Sequence, residues 1–78
     1  MIPDVIGFEI LSDYRIQVTL SNGKRGIFDV KPYLNTGLFE QLKDVKLFNS
    51  VHVSFDTIEW TNGLDICPEI LYEESVKA

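Results

Sequence analysis

From Tyr14 to Leu20 the chain alternates without a break: Tyr14, Ile16, Val18 and Leu20 are apolar or aromatic, and Arg15, Gln17 and Thr19 between them are polar. A period of two is that of a strand with one face in a core, so those four side chains are expected to point inward from a β-strand. Ile6, Phe8 and Ile10 recur at the same period, which predicts a first strand over residues 5–11, with Ser12-Asp13 as a short polar connection. Ser21-Asn22-Gly23-Lys24 then sets Asn beside Gly, the pair that accepts the positive φ of a type I′ hairpin, and the chain returns through Arg25 to Val30. Lys31-Pro32 ends this meander, because proline has no N–H to donate and restricts the residue before it.

The period changes next. Leu38, Phe39, Leu42 and Val45 follow at helical spacing, predicting a short helix from Gly37 to Lys43 with Thr36 as its cap. Asp44 is placed to cap a further turn carrying Leu47 and Phe48. Val51, Val53 and Phe55 alternate with His52 and Ser54, and beyond Asp56-Thr57 the pair Ile58 and Trp60 alternates with Glu59 and Thr61, so a second hairpin is expected. Asn62-Gly63 marks a turn, and Pro68 suits the first position of a helix running from Glu69 to Val76. The fold class is therefore α+β: a three-stranded antiparallel β-meander, a short helix, a second β-hairpin and a short C-terminal helix, as two layers or a partly barrel-like sheet. At 78 residues a single domain, 1–78, with one small core is expected.

Charge sharpens this picture. Residues 1–46 hold six basic and six acidic groups, whereas 47–78 hold only Lys77 against Asp56, Glu59, Asp65, Glu69, Glu73 and Glu74, so the whole net charge of -5 is C-terminal. A phosphate backbone is met by clustered Lys and Arg, so nucleic acid is a disfavoured partner. Lys24, Arg25 and Lys31 form the only local basic group, for which solvation of a turn is the simpler explanation. No apolar run approaches the ~20 residues of a membrane span, and Met1 to Gly7 lacks the basic start and apolar stretch of a signal peptide. A lone cysteine, Cys67, forms no internal disulfide, which suits a reducing compartment. A cytoplasmic protein is the expectation.

Candidate chemistry is sparse. His52 is the only histidine and falls on the polar face of a strand, where exposure to solvent explains it better than a metal or a catalytic triad. Cys67, at the start of the last helix, reads as a small buried filler rather than a nucleophile. Asp65 and Glu69, four apart and beside Glu59 and Asp56, have the residue types for acid and base roles, yet Asp65 equally suits accepting backbone N–H groups in the turn before Pro68. Phe8, Phe28, Phe39, Phe48, Phe55 and Trp60 lie on predicted apolar faces without interleaved basic groups, which makes them core, with some left for an interface. No phosphate-binding glycine loop, nucleophile elbow, paired cysteine motif or His-Glu-x-x-His helix is present, and the sequence calls for no cofactor and no metal.

The stretch Trp60-Thr61-Asn62-Gly63-Leu64-Asp65-Ile66-Cys67-Pro68-Glu69-Ile70-Leu71-Tyr72 resembles the signature of a small bacterial family, the domain of unknown function 2442. Asp13-Tyr14-Arg15, the Ser21-Asn22-Gly23 turn leading to Phe28-Asp29-Val30, and Gly37-Leu38-Phe39 before Leu42 fit the same pattern. The resemblance implies a small, strand-rich bacterial protein, in a family where many members are encoded beside another small protein and some longer ones carry a helix-turn-helix segment. Residues 73–78 hold no such segment.

Taken together, these features lead one to expect no enzyme but a protein-interaction module, the antitoxin-like or regulatory partner of another small, basic, bacterial protein encoded nearby. The candidate surface is Glu59, Trp60, Asn62, Gly63, Asp65, Pro68, Glu69 and Tyr72. The rival readings are a nucleic-acid-associated transcriptional regulator acting through Lys24, Arg25 and Lys31, and an enzyme using Asp65 and Glu69. A homodimer is open as well, since a short meander can continue its sheet across a two-fold axis.

Overall fold

The structure, a computed structural model, describes residues 2–75. Strand β1 spans Val5–Leu11, β2 Arg15–Leu20 and β3 Arg25–Asp29, paired antiparallel in the order β1-β2-β3. A 3-10 turn, Lys31–Tyr33, and a 3-10 helix, Gly37–Lys43, lead to the one-turn helix α1, Val45–Phe48. Strands β4, His52–Ser54, and β5, Thr57–Glu59, form a separate antiparallel hairpin, and helix α2, Pro68–Ser75, follows. Val76 of the expected last helix lies outside the described residues. The α+β class and its element order stand as the periodicity predicts.

The core forms where the inward faces of both sheets and the helices meet: Ile16, Val18 and Leu20 from β2, Phe28 from β3, Leu42 from the 3-10 helix, Phe48 from α1, Ile58 from β5, and Leu71 from α2 are all buried, with Trp60 among them. The Ser21-Asn22-Gly23-Lys24 turn falls where expected but is not the two-residue type I′ turn: the Leu20 N–H donates to the Lys24 carbonyl and the Gly23 N–H to the Leu20 carbonyl, so the loop is the three residues Ser21 to Gly23, with Gly23 at φ +87°, Asn22 not at positive φ, and the Asn22 side chain accepting from the Lys24 N–H at 3.0 Å.

Several local expectations are corrected. Tyr14 stands just outside β2 with φ +60° and only half-buried; its hydroxyl donates to the Lys43 carbonyl at 2.6 Å, and its ring meets Phe48 edge-on at 5.1 Å. In β1 the register slips between Val5 and Gly7, so Val5 faces the core opposite Leu20 while Ile6 is 63% exposed. Such a bulge adds one residue and switches the alternation, which is why Ile6 does not share the inward face of Phe8 and Ile10. The segment Gly37–Lys43 winds as a 3-10 helix, and Thr36 makes no side-chain cap. With three residues per turn, Phe39 and Leu42 stack on one side, half-buried and buried respectively, and Leu38 is turned to solvent. Asp44 does cap α1, accepting from the Lys46 N–H at 3.0 Å.

Helix α2 lies against β3. It is fastened by Tyr33, whose hydroxyl donates to the Glu74 carboxylate at 2.6 Å and whose ring stacks on Phe28 at 5.8 Å. That hydrogen bond, together with burial and the carboxylate charge, pushes the Tyr33 phenol up from 10.0 to about 12. A group that ionises less readily when folded stabilises fully below its unfolded value, and that stabilisation is lost as pH climbs through the folded one. Tyr33→Phe is expected to cost about 1 kcal/mol near neutral pH, and its difference from the wild type should close between pH 10 and about 12, as followed by urea denaturation across that window.

Candidate interaction surface

The loop after β5 is built from turn chemistry. Gly63, at φ +90°, allows the chain to fold back so that its N–H reaches the Trp60 carbonyl at 2.9 Å and the Trp60 N–H reaches the Leu64 carbonyl at 2.8 Å. Asn62 holds both sides of this turn: its Oδ1 accepts from the Leu64 N–H at 3.2 Å, and its Nδ2 donates to Gln41 Oε1 at 3.0 Å. Trp60 is buried, and its indole N–H donates to the Phe48 carbonyl at 2.9 Å, where the end of α1 leaves a carbonyl without a helical partner. Deeper still, Thr57 Oγ1 donates to the Ile66 carbonyl at 2.7 Å. Trp60, Asn62 and Gly63 are thus fastenings between the hairpin and the helical segment.

The remaining signature residues divide. Glu59 is half-buried, pairs across the hairpin with His52, and its carboxylate lies 3.4 Å from His52 Nε2. Asp65 is exposed and meets Glu59 only through a backbone bridge; the side-chain acceptor of the turn is Asn62, not Asp65. Pro68 and Glu69 line an open cavity of about 500 Å³ with Ile2, Asp4, Asp56 and Cys67. Tyr72 lines a second, of about 380 Å³, with Ile2, Pro3, Asp4, Ser21 and Asn22. Glu69 borders the first cavity and Asp65 does not. Cys67 is exposed, because Ile66 takes the inward position beside it; the expected buried filler is corrected.

Among the basic residues, Lys31 is already engaged. Its Nζ lies 2.9 Å from Asp13 Oδ2 and 3.4 Å from Asp29 Oδ2, and it also donates to the Asp13 carbonyl at 3.2 Å. The hydrogen bond from Lys31 and then its charge hold the Asp13 carboxyl below its ordinary range. Of the group Lys24, Arg25 and Lys31, one member therefore has its charge matched within the chain.

What the sequence reading misses is apolar and outside. Phe8 on β1 and Val53 on β4 are 36% and 37% exposed, and Phe55 is 97% exposed, correcting its assignment to the core. The hairpin closes through Phe55-Asp56 rather than Asp56-Thr57, with Ser54 opposite Thr57. Phe55 has φ +55° and Asp56 does not share the positive sign, the pattern of a type II′ turn, whose first position belongs to glycine. The spacing from Val53 to Ile58 carries this signal: pairing them inward leaves only two residues for the turn.

The family model described as "Protein of unknown function (DUF2442)" matches residues 5–77. The chain belongs to the DUF2442 family. Comparison with curated proteins and with solved structures finds no match. In this DUF2442 chain the densest part of the signature, Trp60 to Gly63, is explained by hydrogen bonds that hold the fold.

Two substitutions separate fold from surface. Trp60→Phe removes the indole donor to the Phe48 carbonyl and some core volume, an expected loss of about 2–3 kcal/mol with an unchanged denaturant slope, read by circular dichroism. Phe55→Gly relieves ~1–2 kcal/mol of left-handed strain and adds ~0.5–1 kcal/mol of unfolded-state entropy, so stability should stay level or rise. A loss above 1 kcal/mol in Phe55→Gly, about the size of a mean destabilising mutation, would show that Phe55 serves the fold.

Proposed function

We propose that this protein is a non-enzymatic interaction module that binds a small basic protein, as the antitoxin-like or regulatory partner of a neighbouring gene product, in the cytoplasm. The observation that carries the reading is the placement of exposed apolar side chains, Phe8, Val53 and Phe55, on segments whose charged residues are Asp4, Glu9, Asp56 and Glu59, with His52 the only basic-capable group. Residues 2–11 and 51–59 hold no Lys or Arg. Carboxylates so placed draw a basic surface in and speed encounter, while apolar contact sets how long the complex lasts. Membership in a family whose members are often encoded beside another small protein supports the same reading. No helix among the described residues is long and apolar enough to cross a membrane.

Co-expression of the tagged protein with the product of its adjacent gene is expected to recover a stoichiometric complex. Its association rate should fall by about tenfold or more between low and high salt, while its dissociation rate changes little. Recovery of the tagged protein alone, in the presence of a soluble neighbour, counts against the reading.

A further inference from the structure

The turn of the β4–β5 hairpin is held against the start of β1. Strand β4 lies close beside β1, and the Val5 N–H donates to the Asp56 carbonyl at 3.3 Å. Ile6 and Phe55 flank that bond, one residue from either end of it, and both face water: Ile6 is 63% exposed and Phe55 97%. Ile6 is there because the bulge turns it away from the core, and Phe55 because the register that buries Ile58 leaves it at the turn. Phe55 adds nothing to the core, and its φ of +55° is one that glycine would adopt without strain. A bulky side chain kept in a strained, exposed position points to a use for the surface around it.

Beside Phe55 the surface opens and turns acidic. Asp56, its neighbour in the turn, lines the open cavity of about 500 Å³ together with Asp4 and Glu69. Ile2 and Asp4 also line the second cavity, which Tyr72 borders. All three carboxylates stand on fixed backbone. The Asp4 N–H donates to Ser21 Oγ at 3.1 Å and its carbonyl accepts from the Ser21 N–H at 2.8 Å, Asp56 is tied to Val5, and Glu69 lies in the first turn of α2. Among the described residues none of the three forms an ion pair, and no Lys or Arg lines either cavity. Lys24 and Arg25 follow the turn whose Ser21 and Asn22 line the second cavity, but Arg25 borders a separate cavity with Phe8 and Glu9.

Resting on the interaction reading above, we infer that Phe55, Ile6 and the acidic cavity beside them form the docking surface for the partner. What docks is an exposed segment in which an aromatic or aliphatic side chain stands next to Arg or Lys. The apolar side chain packs on Phe55 and Ile6, and the cation enters the cavity of Asp4, Asp56 and Glu69 with its aliphatic stem along Ile2 and Pro68. Charge complementarity selects this occupant, because an apolar segment without a cation would cover carboxylates and leave them unpaired. The contact is made from outside the sheet, since β4 beside β1 leaves no place for a strand between them. A second copy is the poorer occupant: a two-fold contact through this surface sets Asp4, Asp56 and Glu69 against their own counterparts.

The test is a titration of the isotopically labelled full chain with a blocked hexapeptide in which two tryptophans flank two arginines, followed by amide chemical shifts. Saturable shifts are expected at Asp4, Ile6, Phe55, Asp56 and Glu69, and the same peptide with glutamine for arginine should bind about tenfold more weakly or worse. Alanine for tryptophan in the peptide, or Phe55→Gly in the protein, should each weaken binding about fivefold or more, with the spectrum of the variant still that of a folded chain. Four results overturn the surface: equal binding of the arginine and glutamine peptides, unchanged affinity in Phe55→Gly, shifts confined to the cavity of Phe8, Glu9 and Arg25 or absent at millimolar peptide, and peptide-free shifts at Ile6 and Phe55 that grow with protein concentration and so reveal a second copy. If the product of the adjacent gene binds the chain and its footprint lies elsewhere, the surface is wrong and the module reading survives.

Discussion

The hydrogen bond from the Trp60 indole to the Phe48 carbonyl is the fastening on which the second half of the domain depends. A three-residue hairpin strand and a one-turn helix are each too short to persist alone, and this bond ties them together inside the core. Around it the loop Trp60–Leu64 folds on glycine and asparagine chemistry, and Asn62 carries the link onward to Gln41. Tyr14, from the meander, completes the arrangement by packing edge-on against Phe48 and donating to Lys43. One tryptophan thereby joins elements that are up to a dozen residues apart and none of which supplies a core of its own.

Where a residue's role followed from local physics, the chain announced it. The bounds of β1, the position though not the type of the Asn22-Gly23 turn, the Asp44 cap and the start of α2 at Pro68 rest on periodicity or on one backbone requirement, and each is found where the sequence places it. Failures came from non-local causes. Thr36 has a good capping side chain, but the segment it precedes winds as a 3-10 helix. Phe55 fits a strand face by spacing, yet the register that buries Ile58 leaves it at the turn. The signature from Trp60 to Tyr72 was legible as a unit; its split into inward fastenings and outward groove residues was not, since spacing alone does not say which hydrogen bonds an asparagine or an indole will find.

The surface follows a related logic. Among the described residues the ion-paired lysine is Lys31, held by Asp13 and Asp29, while the Arg15 Nε donates to the Ser12 carbonyl. Among the described residues, the carboxylates along 2–11 and 51–59 form no ion pair beyond the His52 contact of Glu59. With six acidic groups against one basic group after residue 46, the second half of the chain carries the excess negative charge.

The bulge at Ile6 has its own meaning for sequence length. Val5 faces in, Gly7 faces out and Phe8 faces in, so removing Ile6 would restore strict alternation and leave every inward side chain of β1 where it is. The first strand can therefore gain or lose this residue without a change of interior, and the position acts as a frame-absorbing joint. Relatives that differ by one residue near their start can share the same core, differing only in how the margin of the sheet curves.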